Sequence, residues 1–241
     1  MRKIVLALLL CLLFAASIAP VNASITVEAL VSDNFHVYFG FRDINFTIYN
    51  NIRTHPEIFN STSIPRAIIR NLEKQDLMKV SYQLISQDPF NDAEKSINVE
   101  FYLGGEDILS YTVDRTTLVR TYNARTGWIR FDIKLSDTLT LNFATYFDTL
   151  VSNWQRINRT INGNVHSAFY YNSTTGTAPF DALCYFILPT TAMHVRAVGD
   201  LLIFEMPPLL GDRLIGSPIL ILGAIITVSY THLTLPTNRE V

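Results

Sequence analysis

The triplets N-x-S/T that begin at Asn45, Asn60, Asn158 and Asn172 are the residues here whose type and spacing most directly specify a chemistry. Each is an acceptor pattern for N-glycosylation, which needs an accessible asparagine on an exported chain. Asn60, Asn158 and Asn172 fall in stretches that read as loops, whereas Asn45 borders a strand-like pattern. Catalytic constellations are harder to assemble. His36, His55, His166 and His194 are scattered without the i, i+4 pairing or neighbouring cysteines of a zinc site, so no metal and no cofactor is expected. His232 lies apart, in the C-terminal tail. The acidic pairs Glu106-Asp107 and Asp88/Asp92 supply the two carboxylates that a glycosidase needs, but the sequence sets no two of them across a cleft. There is no G-x-S-x-G elbow, P-loop or G-x-G-x-x-G. Cys184, within the apolar run DALCYFIL, reads as a buried structural thiol, because reactive cysteines sit in electropositive, partly exposed surroundings.

The ends of the chain say where such sites would work. Arg2 and Lys3 precede the apolar stretch Ile4 to Ala16, and Val21-Asn22-Ala23 ends on the small residue that signal peptidase favours. Residues 1–23 therefore read as a signal peptide cleaved between Ala23 and Ser24. Cys11 lies inside the apolar stretch and is removed with it, leaving Cys184 as the one cysteine of the exported chain. No internal disulfide is then possible, and the 15 Phe and 11 Tyr point to an aromatic core in its place.

Near the other end, residues 214–227 form an apolar run after the connector 208–213, and read as a transmembrane helix cut short of the roughly 20 residues that a span needs. The following stretch, VSYTHLTLPT, resembles the conceptual translation of the transposase-end adapter used in shotgun sequencing libraries. Residues 228–241 are accordingly taken as non-native and set aside.

Between these ends, residues 24–207 read as one extracytoplasmic domain. ITVEALV and FHVYFGF alternate with period two on either side of a short SDN turn, as in a hairpin. Ser63 to about Gln75 carries apolar residues at helical spacing, with Ser63 as N-cap and Pro65 in the first turn. Alternation returns in Met78 to Leu84 and in Ile97 to Leu103, where Asn98, Glu100 and Tyr102 take the opposite face. A tight turn at Gly104-Gly105, a returning strand from about Asp107 to Val113, and WIRFDIKL complete an expected four-stranded antiparallel meander. Phe143, Tyr146, Phe147, Leu150, Val151, Trp154 and Ile157 predict a second helix of four turns, ended by NRTINGN. The expected fold class is α+β, predominantly antiparallel β with two amphipathic helices.

Composition narrows the partners. Charged residues make up 17% of the chain, against about 25% in an average soluble protein. The 19 basic and 21 acidic residues form no basic stripe, which argues against nucleic acid. The sequence thus predicts a membrane-anchored, glycosylated cell-surface protein, tethered by its C-terminal helix, that binds other surface proteins or envelope polymers. A membrane-tethered extracytoplasmic hydrolase and a ligand-sensing module are the alternatives.

Overall fold

A computed structural model describes residues 23–147, 154–173 and 180–208. The alternating stretches form the strands of a large mixed sheet, sheet A, in the order β10-β11-β12-β1-β2-β5-β3 with the short β4 also paired to β5. Its strands are β1 (Ser24–Val31), β2 (Phe35–Arg42), β3 (Ser81–Leu84), β4 (Phe90–Asn91), β5 (Ser96–Gly104), β10 (Gln155–Ile161), β11 (Asn164–Ser173) and β12 (Asp181–Ile187). A second sheet, B, has the order β13-β14-β7-β6, from β6 (Leu109–Val113), β7 (Arg120–Arg125), β13 (Met193–Val198) and β14 (Leu201–Met206). The short β8 (Asp132–Lys134) and β9 (Thr140–Asn142) pair with each other. Among the described residues, three α-helices, α1 (Phe46–Arg53), α2 (Ser63–Glu73) and α3 (Phe143–Phe147), and a 3-10 turn at Gly127–Ile129 join them. The chain is β-rich and α+β in class.

The expected first hairpin is present, with Val31 opposite Phe35 and Ser24 opposite Arg42. One residue in two along β1 and β2 is buried: Ile25, Val27, Ala29 and Val31, then Phe35, Val37, Phe39 and Phe41. Period-two alternation sends this set to one face of the pleat and its neighbours to the other. Ile97, Val99, Phe101 and Leu103 of β5 and Ala182, Cys184 and Phe186 of β12 continue the buried face. Against it pack the 3-10 turn and α3. Trp128 meets Phe35 and Phe186 edge-on at 5.5 and 5.6 Å, and Phe143 meets Phe39 at 5.9 Å while stacking on Phe131 at 4.4 Å. Such edge and offset pairs suit the ring quadrupole, so the core is both apolar and geometrically specific. Among the described residues, everything that covers this inner face leaves the opposite face of β1, β2, β5 and β12 open.

The helix expected from Ser63 is found over Ser63–Glu73 and buries Ile64, Ala67, Ile68 and Leu72. Its N-cap is Thr62, and the Ser63 hydroxyl accepts instead from the Asn60 amide at 2.9 Å.

Three other expectations are corrected, and a fourth is refined. The four-stranded meander does not exist, because Leu109–Val113 pairs with β7 in sheet B and not with β5. Gly104-Gly105 is accordingly no hairpin turn: Gly105 has φ +139°, its carbonyl accepts from Ile108 and Leu109, and a Cβ there would lie 1.8 Å from the Lys79 carbonyl oxygen. The second helix spans Phe143–Phe147 only among the described residues, and Trp154 and Ile157 do not continue it, since Gln155–Ile161 is the edge strand β10. Antiparallel pairing dominates, yet β1 and β12 at the sheet's centre run parallel.

Among the described residues no helix is long and apolar enough to cross a membrane. The expected signal peptide up to Asn22, the connector from residue 209, the transmembrane run and the adapter-like tail lie outside the described residues.

Candidate functional site

The open face of sheet A holds a groove of about 850 Å³. Its floor is part of a register pattern that runs across the sheet. One row crosses six strands as Gln155, Tyr170, Tyr185, Glu28, Tyr38 and Glu100. The row on one side continues Leu183, Thr26, Gly40 and Asn98, and the row on the other runs Ile187, Leu30, His36 and Tyr102. Residues in one row face the same way because neighbouring strands keep their pleats in phase. The tip of the β10–β11 hairpin forms one wall, with Arg159, Thr160, Ile161 and Asn162 lining the groove.

Two electrostatic clusters anchor this face. Arg159 reaches from the edge strand to the carboxylate of Glu28, and its guanidinium lies 4.2 Å from the centre of the Tyr185 ring. Arginine suits that double role, since its flat cation can stack and donate at once. Farther along, His36 Nε2 donates to Glu100 at 2.7 Å, and the His36 ring sits between the rings of Tyr38 and Tyr102 at 4.4 and 4.6 Å. The Tyr38 hydroxyl is 3.4 Å from His36 Nδ1. Its pKa is raised by burial and then by the Glu100 charge, which keeps the phenol protonated. Tyr38 is nevertheless 39% exposed and Tyr185 is half-buried, so both present aromatic surface to the groove, with the half-buried Tyr102 and Tyr170 beyond its edges.

None of the histidines singled out in the sequence lines this groove; His36 stands beside it, bonded to the lining residue Glu100. His55 Nδ1 bonds the Asn51 carbonyl at 2.7 Å, His166 Nδ1 the Leu188 carbonyl at 2.8 Å, and His194 pairs with Glu205 at 2.7 Å. No group of His, Cys, Asp and Glu among the described residues could hold a metal ion. The acidic pairs do other work. Glu106 pairs with Lys79, Asp107 accepts from the Lys79 amide, Asp88 accepts from the Phe90 amide, and Asp92 is held by Tyr49 and Arg53. Cys184 is fully buried, and burial followed by the Glu28 charge pushes its thiol well above the ordinary range.

The sequons are dispersed. Asn45 is exposed and caps α1, its side chain accepting from the Thr47 amide at 2.9 Å, and is not in a strand. Asn60 is half-buried between α1 and α2, and its Nδ2 donates to the Pro56 carbonyl at 3.1 Å. Asn158 and Asn172 lie within β10 and β11 and not in loops. Asn158 is exposed on the sheet's edge strand. Strand β1 begins at Ser24, and the Ala23 carbonyl accepts from the Asp181 amide at 3.1 Å.

Sequence reasoning missed Glu28, Arg159, Tyr185 and Tyr38. Only the polar half of the alternation pattern signalled them, and it does not say which strands become neighbours. The fold and groove together define a β-rich α+β protein with an open, aromatic and carboxylate-lined sheet face. No family model, no curated protein and no solved structure matches the chain.

Proposed function

We propose that this is an exported, surface-anchored protein that acts by binding, and that the open face of sheet A is its site for glycan chains. The signal-like N-terminus, the sequons and the apolar C-terminal run support the location. The observation that carries the ligand class is the row Tyr170, Tyr185, Glu28, Tyr38 and Glu100, with Arg159 and His36 beside it. A sugar ring presents C–H groups on its faces and hydroxyls around its rim. Half-exposed tyrosine rings attract the former, and carboxylates, imidazole and guanidinium bond the latter with charge assistance. The groove's size lies within the range of ordinary ligand sites. Two arginines opposite two glutamates do not make the cationic track that nucleic acid needs.

Titration calorimetry of the full chain against neutral hexose, N-acetylhexosamine and hexuronate oligosaccharides tests this. Saturable binding of at least one class is expected, weakened about tenfold or more by Glu100→Gln and by Tyr185→Ala, the loss of one charged hydrogen bond or one stacking face. Absence of binding to all three, or binding that ignores both substitutions, overturns the reading.

A hydrolase is the second reading, and one observation favours it. Glu28 and Glu100 stand in the same row with one strand between them, so two inter-strand steps separate their backbones by roughly 10 Å. That is close to the carboxyl spacing of inverting glycosidases. Binding leads because both carboxylates are engaged by cationic or imidazole partners. Release of reducing ends from a bound oligosaccharide would move the reading to catalysis.

A further inference from the structure

Gly40 sits in the middle of β2 on the groove floor, between Thr26 on one side and Asn98 on the other, in a row where every neighbouring strand presents a side chain. Glycine weakens a strand interior, and it marks either a bulge or a place that something approaches closely. Here there is no bulge, for the pairing of β2 with β1 and with β5 is unbroken through Gly40. Nor is space lacking. A Cβ at this position would meet Asn98 Oδ1 at 3.5 Å, Arg42 Nε at 3.8 Å and the Thr26 carbonyl oxygen at 4.0 Å, all ordinary contacts. Folding therefore does not demand glycine, and the result is a depression in the floor flanked by hydrogen-bonding groups.

The depression is electrically lopsided. On the side of Tyr38 stands Glu100, which accepts from His36. On the other side, two residues farther along the same strand, is the exposed Arg42, which has no ion pair among the described residues. The groove's other arginine, Arg159, is already neutralised by Glu28. Among the described residues of the lining, the one cation without an ion pair therefore lies beside the depression, with the Glu100 carboxylate and the Asn98 amide on the far side.

Resting on the glycan reading above, we infer that the groove selects an acidic sugar: one hexuronate ring sits over Gly40, its carboxylate on Arg42, its hydroxyls toward Asn98, Thr26 and the Tyr38–Glu100 end. Arginine holds a carboxylate by two parallel hydrogen bonds, which fixes the ring's orientation as well as its charge.

The test compares tetragalacturonate with its fully methyl-esterified, uncharged counterpart, by calorimetry on the full chain and on the variants Arg42→Gln and Gly40→Val. The acid form is expected to bind at least tenfold more tightly than the ester. Arg42→Gln removes that preference, bringing acid and ester to within about twofold of one another. Gly40→Val fills the depression and abolishes binding of both forms with Tm unchanged or raised, because valine suits a strand. Equal affinity of wild type for acid and ester, a preference that survives Arg42→Gln, or a Gly40→Val protein that binds like wild type overturns the inference. Should neutral oligosaccharides bind while tetragalacturonate does not, the acidic-sugar inference fails and the glycan groove stands. Should no saccharide bind, both fail. Arg42 is exposed, so its variant keeps the test decisive even if Gly40→Val unfolds.

Discussion

Tyr49 shows how a residue that looks like site chemistry can instead hold two elements together. It is buried on α1 and donates its hydroxyl proton to Asp92 at 2.7 Å, while Arg53, one turn on, donates to the same carboxylate at 3.0 Å. Asp92 was one of the acids that a glycosidase reading of the sequence could adopt, and its two hydrogen bonds, Tyr49 first, hold its carboxyl below the ordinary range. Burial, and then the bond to Asp92, pushes the Tyr49 phenol up to about 12. An acid whose pKa is raised on folding binds its proton more tightly in the native state. Its contribution is complete below the unfolded value near 10 and is lost as pH rises toward 12. Tyr49→Phe is therefore expected to lower Tm at neutral pH, because the hydrogen bond to a charged acceptor is lost. It should also flatten the alkaline fall of Tm between pH 10 and 12. Parallel Tm-against-pH curves for wild type and variant in that window would contradict this coupling.

At the scale of elements, the β10–β11 hairpin is where sequence reading and structure part most instructively. Trp154 and Ile157 fall at helical spacing after Phe143, Tyr146, Phe147, Leu150 and Val151, and that stripe hides a strand. Trp154 instead packs edge-on against Phe169, Tyr171 and Phe186, while Ile157 pairs across to Ala168. The corrective signal was in the sequence: Asn162-Gly163 lies between Ile161 and Asn164, which pair directly, and both turn residues have positive φ, as a two-residue hairpin turn requires. It reads as a helix breaker only if the flanking residues are taken for loop. The first hairpin and α2 were legible because each is a local pattern closed by its own turn or cap. Helix α1 was not, since its Asn45 cap sits inside a triplet that also reads as a sequon. Because the hairpin tip walls the groove, Gly163→Val should cost about 1–2 kcal/mol, the penalty of a left-handed conformation at a residue with a side chain. Amide exchange should quicken in β10 and stay unchanged in β2 and β5. Uniform acceleration across sheet A would mean that the hairpin is not a separable element.

For the molecule as a whole, the decisive feature is the parallel pairing of β1 with β12, which joins the first strand to one far along the chain, at the centre of one sheet. No local pattern encodes it, and the groove exists only because of it: Glu28 and Tyr185 are neighbours across that seam. Alternation told which residues of each strand are polar, as with Asn98, Glu100 and Tyr102, but not that strands so distant in sequence would set their polar faces side by side. Closing such long-range pairs costs chain entropy that is recovered only when the whole sheet forms, which favours a single cooperative unit. Cys184 reports on this directly. It lies on β12 between Val27 of β1 and Tyr171 of β11, is fully buried, and is the free thiol of the described residues. In the native protein its reaction with a disulfide reagent should be slow, and its rate should rise with urea along the slope of global unfolding, because only opening of the whole sheet exposes it. If labelling proceeds with little dependence on urea, β10 to β12 open as a flap while β1, β2 and β5 stay folded. The seam that builds the groove would then be its weakest part, and ligand affinity would depend on how often that flap is closed.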